Sequence, residues 1–226
     1  PATGSAPGPL TLSLSGLSEG DHVVAVRQRK TLADTTSTLS AETAITWTVD
    51  TTAPGAPAIG ARPANPTNAT SASFGVSSPP ATTLECRLDG GGWTACTSPA
   101  TFGGLPDGSH TFDVRAIDLA GNASTPASTT WVVDTTAPGA PSFTSVPTAD
   151  SASSSGTFGF SLPTGGASAM CSLDGAAAVP CTAPYTVSGL SDGTHTMDIV
   201  VLDAAGNAGP SASYQWTVDT LSLIHI

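Results

Sequence analysis

The sequence predicts an all-β fold, a head-to-tail array of antiparallel β-sandwiches of about seven strands each. Three observations predict it. The first is a recurring phrase. Residues 46–57 read Thr-Trp-Thr-Val-Asp-Thr-Thr-Ala-Pro-Gly-Ala-Pro, residues 130–141 repeat it with Val132 in place of Thr48, and residues 215–220 begin it again. Trp47, Trp131 and Trp216 are thus 84 and 85 residues apart, and a fixed period of that length marks tandem copies of one structural unit. The second is alternation of apolar and polar residues over short runs, with no helical period. The third is turn chemistry, rich in Gly, Pro and Asp, at intervals of about 8–12 residues, the spacing of a sandwich. The period divides the chain into 1–52, the C-terminal part of an incomplete repeat with its linker; 53–136 and 137–220, two complete repeats; and 221–226, a non-native tail.

Composition narrows the function classes. Six basic against seventeen acidic residues give a formal net charge of −11, which argues against nucleic acid, whose phosphates need Lys and Arg. Only 10% of residues are charged, yet the recurring Trp, Phe and Val supply the apolar periodicity that disordered chains lack. No apolar run reaches the length of a membrane span, so no membrane span is expected in this stretch. The cysteines form two pairs, Cys86/Cys96 and Cys171/Cys181, each ten residues apart at the same place in its repeat. That spacing is not a zinc pattern. Opposed cysteines on two strands of one hairpin are the simpler reading, and closing so short a loop stabilises by roughly 2.5–3 kcal/mol. Two such bridges imply an oxidising, extracellular compartment.

The second repeat shows each element in order. Pro54 and Pro57 stiffen its approach. Ala72, Phe74 and Val76 alternate with Ser and Gly, as in a half-buried strand, and Pro79-Pro80 ends it. Leu84, Cys86 and Leu88 alternate next, with Glu85, Arg87 and Asp89 facing out. Asp89-Gly90-Gly91-Gly92 is a hairpin turn, because glycine tolerates positive φ, and Trp93 to Cys96 return. Phe102 and Leu105 lead to a second turn, Pro106-Asp107-Gly108. His110, Phe112, Val114 and Ala116 share one face, Asp118-Leu-Ala-Gly-Asn122 turns the chain, and Trp131 and Val133 lie on the last strand. The third repeat follows with Phe158, Phe160, Cys171, Leu173, Cys181, Leu190, His195, Met197, Ile199 and Trp216, its late turn reading Asp203-Ala-Ala-Gly-Asn207. In the first repeat Gly16 to His22 aligns with Gly104 to His110, so about three strands are expected there. His22 and Trp47 are 25 residues apart against 21 in the other copies, and the Asp-x-Ala-Gly-Asn turn is missing.

Together the Cys86–Cys96 hairpin, the stretch Leu105-Pro-Asp-Gly-Ser-His-Thr-Phe-Asp-Val-Arg-Ala-Ile-Asp-Leu-Ala-Gly-Asn122 and the Trp-x-Val-Asp-Thr-Thr-Ala-Pro linkers resemble the bacterial Ig-like repeats of large secreted and surface-attached, adhesin-like proteins. The resemblance covers residues 1–220. It implies a stalk or spacer of such a protein, or an accessory region of an extracellular enzyme, and some relatives bind calcium between domains. Leu221-Ser-Leu-Ile-His-Ile226 departs from the pattern. It is what CTG TCT CTT ATA CAC ATC encodes and resembles the translated end of a sequencing adapter, so the chain reads as a fragment of a longer repeat protein and His225 carries no functional weight.

The candidate site residues divide by role. His22, His110 and His195 recur once per repeat in phase with buried positions, which suits a structural imidazole bonded to the turn backbone, akin to a tyrosine corner, rather than catalysis. Trp47, Trp131 and Trp216 alternate with Val49, Val133 and Val218 and read as core. Trp93, with Ala178 as its counterpart, is not required by the fold; its ring is a candidate sugar-stacking surface or a part-buried surface residue. Asn68-Ala-Thr70 and Asn122-Ala-Ser124 match glycosylation sequons without functional weight. The aspartates carry the sharpest expectation. In a head-to-tail array the loop before the sixth strand of one sandwich meets the loop after the sixth strand of the next. That arrangement brings Asp134 near Asp107 and Asp203, and Asp50 near Glu19 or Asp21 and Asp118. Carboxylates with turn carbonyls suit calcium, which takes six to eight oxygens; the alternative is that each aspartate caps a turn. No nucleophile–base set or phosphate-binding loop appears. The reading is therefore a non-enzymatic extracellular spacer with neighbouring repeats as its partners, the alternative being a carbohydrate-binding accessory module. Aromatics lined along one exposed face favour the binder; aromatics confined to the core favour the spacer.

Overall fold

The computed structural model describes residues 11–31 and 37–221; the start of the first repeat and most of the hexapeptide 221–226 lie outside the described residues. All regular elements are strands. In the first repeat β1 (Gly20–Val26) pairs antiparallel with β4 (Thr43–Val49), and β2 (Arg29–Thr31) pairs with β3 (Ser37–Leu39). The additional residues between His22 and Trp47 therefore build a second hairpin where the other repeats have a tight turn. On the inner face of β1 and β4, Val26 and Ile45 are 47% and 59% exposed, because no second sheet among the described residues covers them.

The second repeat comprises β5 (Ala58–Ile59), β6 (Ser71–Phe74), β7 (Val76–Ser77), β8 (Thr83–Leu88), β9 (Thr94–Cys96), β10 (Ala100–Gly103), β11 (Gly108–Ile117) and β12 (Ala127–Val133). One sheet runs β12-β11-β8-β9; the pairs β10-β6 and β5-β7 face it. The third repeat comprises β13 (Ser142–Ser145), β14 (Asp150–Ser151), β15 (Ser155–Ser161), β16 (Ser168–Leu173), β17 (Val179–Cys181), β18 (Tyr185–Ser188), β19 (Gly193–Leu202) and β20 (Ala212–Val218). Its sheets run β14-β20-β19-β16-β17 and β13-β15-β18. The short β14 pairs parallel with β20.

The period-2 pattern explains which side chains meet. Along β11 the inward positions His110, Phe112, Val114 and Ala116 are buried, and His195, Met197, Ile199 and Val201 do the same on β19. The facing pair β6 and β10 supplies Phe74, stacked on Phe112 at 4.2 Å and edge-on to Trp131 at 5.0 Å. Phe158 meets Trp216 in the same way at 5.1 Å. Trp216, Phe74, Phe112 and Phe158 are the largest fully buried side chains, and such rings give a small domain much apolar area per residue.

The disulfides Cys86–Cys96 and Cys171–Cys181 are formed, with Cα separations of 5.7 and 5.8 Å. The cysteines are diagonal rather than directly opposed. Cys86 pairs across with Thr94 and Cys96 with Leu84; Cys171 pairs with Val179 and Cys181 with Ala169. Diagonal positions two residues apart lie on the same face, so the bridge fits without crossing the sheet.

Candidate functional site: the repeat poles

Chemistry concentrates at the two ends of each sandwich, where the turns gather. At the C-terminal pole of the second repeat, Asp89-Gly90 forms a turn with both residues at positive φ, 51° and 71°, closed by Gly91 N–H donating to the Leu88 carbonyl. Asp and Gly are the residues that tolerate this two-residue primed turn. The Asp89 carboxylate reaches across to β11. Its Oδ1 accepts the Thr111 N–H at 2.7 Å, and its Oδ2 lies 2.8 Å from His110 Nδ1. His110 Nε2 lies 2.9 Å from the Pro106 carbonyl oxygen. Both partners of the buried imidazole only accept, so the site is satisfied when both ring nitrogens carry a proton. The Pro106 carbonyl and the Asp89 carboxylate outweigh burial and raise the His110 pKa above 6.5. Burial pushes Asp89 up, but the bonds from His110 and Thr111 outweigh it and leave its pKa below 3.8. The third repeat duplicates this set with Asp174, His195, Thr196 and the Ser191 carbonyl. Sequence reasoning missed the acid partners. The signal was available: Asp89 and Asp174 each stand 21 residues before their histidine.

The first repeat keeps half of the arrangement. His22 Nε2 lies 2.7 Å from the Ser18 carbonyl oxygen, and the ring stacks on Trp47 at 5.7 Å. Both residues are only part-buried, unlike Trp131 and Trp216, so in this repeat the expected core positions are not enclosed.

The linker aspartates turn to backbone and hydroxyl donors. Asp107 Oδ1 accepts the Thr135 N–H and hydroxyl at 3.0 and 2.7 Å, and Oδ2 accepts the Thr136 hydroxyl at 3.1 Å. Asp134 Oδ1 caps the Thr136 N–H at 3.0 Å, as Asp50 caps Thr52. Glu19 takes the place of Asp107 in the first repeat and accepts from Thr51 and Thr52. Bonds from the Thr51 hydroxyl and N–H and the Thr52 hydroxyl bring its pKa down to about 2. At the N-terminal pole of the next repeat, Asp118 and Asp203 each fold over their own turn. Asp203 Oδ1 accepts the Asn207 N–H and Oδ2 its side-chain N–H, both at 2.8 Å. Asp118 holds Asn122 at 2.8 and 3.0 Å. Those asparagine bonds outweigh burial and lower the pKa of both acids.

The five carboxylates proposed for calcium are thus distributed. Asp134 and Asp203 line one small cleft with Thr136, Thr164 and Gly165, while Asp107 points to its own linker threonines. Among the described residues no group of three or more His, Cys, Asp or Glu lies placed to hold a metal ion. Two carboxylates, each already accepting N–H bonds, supply four of the six to eight oxygens that calcium takes.

Trp93 lies on the outer face of β8. Arg87 and Arg115 each sit 4.5 Å from the centre of its ring. Arg87 donates to Asp113 at 2.8 Å and Arg115 to Glu85 at 2.8 Å. The ring is part-buried in this charged ladder.

No family model matches the chain, and no curated protein matches it. Solved structures do match. The chain is similar to the Clostridium thermocellum CbhA fibronectin(III)-like modules at 18% identity and a TM-score of 0.51, over 75% of this chain and 97% of that one. The chicken CNTN1 FN1–FN3 domains match at 12% identity and a TM-score of 0.46, over 86% of this chain and 77% of that one. At 18% identity the likeness to the CbhA modules shows fold alone, and the fold it shows is the fibronectin(III)-like β-sandwich.

Proposed function

We propose that this chain is a non-catalytic extracellular spacer, a run of Ig-like repeats from a bacterial secreted or surface-attached adhesin-like protein. One observation carries the reading. Of its four Trp, two Tyr and six Phe, none is exposed. A carbohydrate-binding face presents rings to solvent, whereas here the rings of the two complete repeats pack in or against the cores or, as with Trp93, are covered by arginines, and Trp47 is part-buried against His22. The two disulfides support an oxidising compartment, and among the described residues no helix is long and apolar enough to cross a membrane.

The test is titration with soluble oligosaccharides, read by calorimetry and by Trp fluorescence. The expected result is no saturable binding up to millimolar sugar. Saturable binding abolished by Trp93→Ala would overturn the spacer reading in favour of a carbohydrate module.

A further inference from the structure

Each complete repeat reaches back to the one before it through a single amide. The Asn207 side-chain nitrogen donates to the Asp203 carboxylate at 2.8 Å and to the Asp134 backbone carbonyl, in the preceding repeat's last segment, at 2.7 Å. Asn122 does the same between Asp118 and the Asp50 carbonyl, both at 3.0 Å. An amide nitrogen has two hydrogens, and both are used. Both partners only accept, so the amide's orientation is fixed by chemistry. The carbonyl it meets is itself held in place. Asp134 caps Thr136, while Asp107 grips Thr135 and Thr136 from the body of the preceding repeat.

The receiving half recurs in the third repeat. At the end of the third repeat, Asp192 Oδ1 accepts the Thr220 N–H and hydroxyl at 2.8 and 2.7 Å, and Asp219 caps the Leu221 N–H at 3.0 Å. This repeats the geometry of Asp107 and Asp134, short of the Thr136 hydroxyl bond, which Leu221 cannot supply. A surface held by its own hydrogen bonds loses little conformational freedom on docking. The segment after the turn packs closely on its own repeat's approach. A Cβ on Gly209 would sit 2.5 Å from the Pro138 carbonyl oxygen and 2.9 Å from that of Gly139, so the third repeat's turn lies directly against the linker backbone.

We propose that the C-terminal pole of each repeat, held by its own carboxylates, is the docking surface for the Asp-x-Ala-Gly-Asn turn of a following repeat, and that this contact fixes the joint without a metal ion. The partner it fits is defined by chemistry: a side-chain amide held by its own turn's carboxylate. The first repeat carries the hairpin of β2 and β3 instead of this turn, so it receives a neighbour at its C-terminal pole but does not dock through that turn.

This deepens the spacer reading, yet its test is separate, since sugar binding would sink the spacer and leave the joint standing. Residual dipolar couplings are measured on the full chain with a chelator and with millimolar calcium. The second and third repeats are expected to fit one alignment tensor in both conditions. Asn207→Asp places a carboxylate against two acceptors and is expected to split the tensor, with the alignment of one repeat falling about twofold. Asn207→Ala, which removes the donor to the Asp134 carbonyl without adding charge, is expected to do the same while couplings within each repeat still fit. A parent chain that aligns as one body only with calcium would overturn the proposal. So would a single tensor retained in both variants.

Discussion

Replacing His110 and His195 together by Phe keeps a ring against Trp131 and Trp216 but removes both hydrogen bonds of each imidazole. A bond to a charged group contributes about 1.5–3 kcal/mol. The bond to the Pro106 carbonyl comes from an imidazole whose side chain is 6% exposed and counts fully; Asp89 is 44% exposed, so its share is screened to about 0–1 kcal/mol. The sum is about 1.5–4 kcal/mol per repeat, or roughly 6–30 °C in melting temperature for a unit of this size. The pH dependence has a definite sign. The histidine pKa values are raised in the fold above 6.5. Their stabilisation is therefore complete below that value and is lost as pH rises through the folded pKa. The Asp89 and Asp174 values are lowered below 3.8, so their stabilisation is present above that value and is lost as pH falls through the folded pKa. Scanning calorimetry of the parent across pH should place maximal stability between about pH 4 and 6.5, with a decline on the alkaline side. The double Phe variant should melt lower and show no such alkaline decline. A parent curve flat from mildly acidic to alkaline pH, or an unchanged alkaline slope in the variant, would refute the imidazolium assignment.

Three further outcomes are expected. Peptide mapping without reductant should find Cys86–Cys96 and Cys171–Cys181 as the sole bridges, and reducing either should lower that repeat's stability by roughly 2.5–3 kcal/mol. Trp93→Ala should destabilise the second repeat by about 1–2 kcal/mol, since two cation–π contacts at a surface are each worth about 0.5–1 kcal/mol, and should leave the third repeat's calorimetric transition unmoved. A chain shortened to 53–220 should melt no lower than the parent, because the β1–β4 hairpin lacks a covering sheet; a clear loss of melting temperature would show that it is tied into the rest.

The fold was legible where local chemistry and period agree. Alternation at Ala72, Phe74 and Val76, at Leu84 to Leu88 and at His110 to Ala116 marks strands because pleating alone assigns each side chain to a face. The Asp-Gly and Asp-x-Ala-Gly-Asn turns are visible because few residues adopt their backbone angles. What was not legible is whatever depends on tertiary approach. The diagonal setting of the cysteines follows from strand register, which a spacing of ten leaves open. The hydrogen-bonding of His110 to Asp89 joins two turns across a sheet. The direction of the linker carboxylates depends on which donor is nearest, and the adjacent Thr N–H and hydroxyl groups reach Asp107 at shorter range than any second acid. The added residues after His22 revealed a longer loop but not the hairpin of β2 and β3.

Comparison of the two complete repeats bears on function more directly than either alone. Their inner faces and poles carry equivalent groups: the disulfide, the His–Asp pair beneath the turn, the Trp opposite the His, and the Asn that seats on the repeat before. Their outer faces do not. Around a shared aspartate, Asp113 and Asp198, the second repeat has Glu85, Arg87, Trp93 and Arg115 where the third has Met170, Ser172, Ala178 and Val200 at the matching positions. An array that bound a repeating ligand would need the same face in each copy, whereas an array that sets a distance needs the same joint. The chain repeats the joint and varies the face. The outer surface then has only to stay soluble and protect the sheet, which a neutralised Arg–Trp ladder and a plain Ser/Ala/Val surface accomplish equally well.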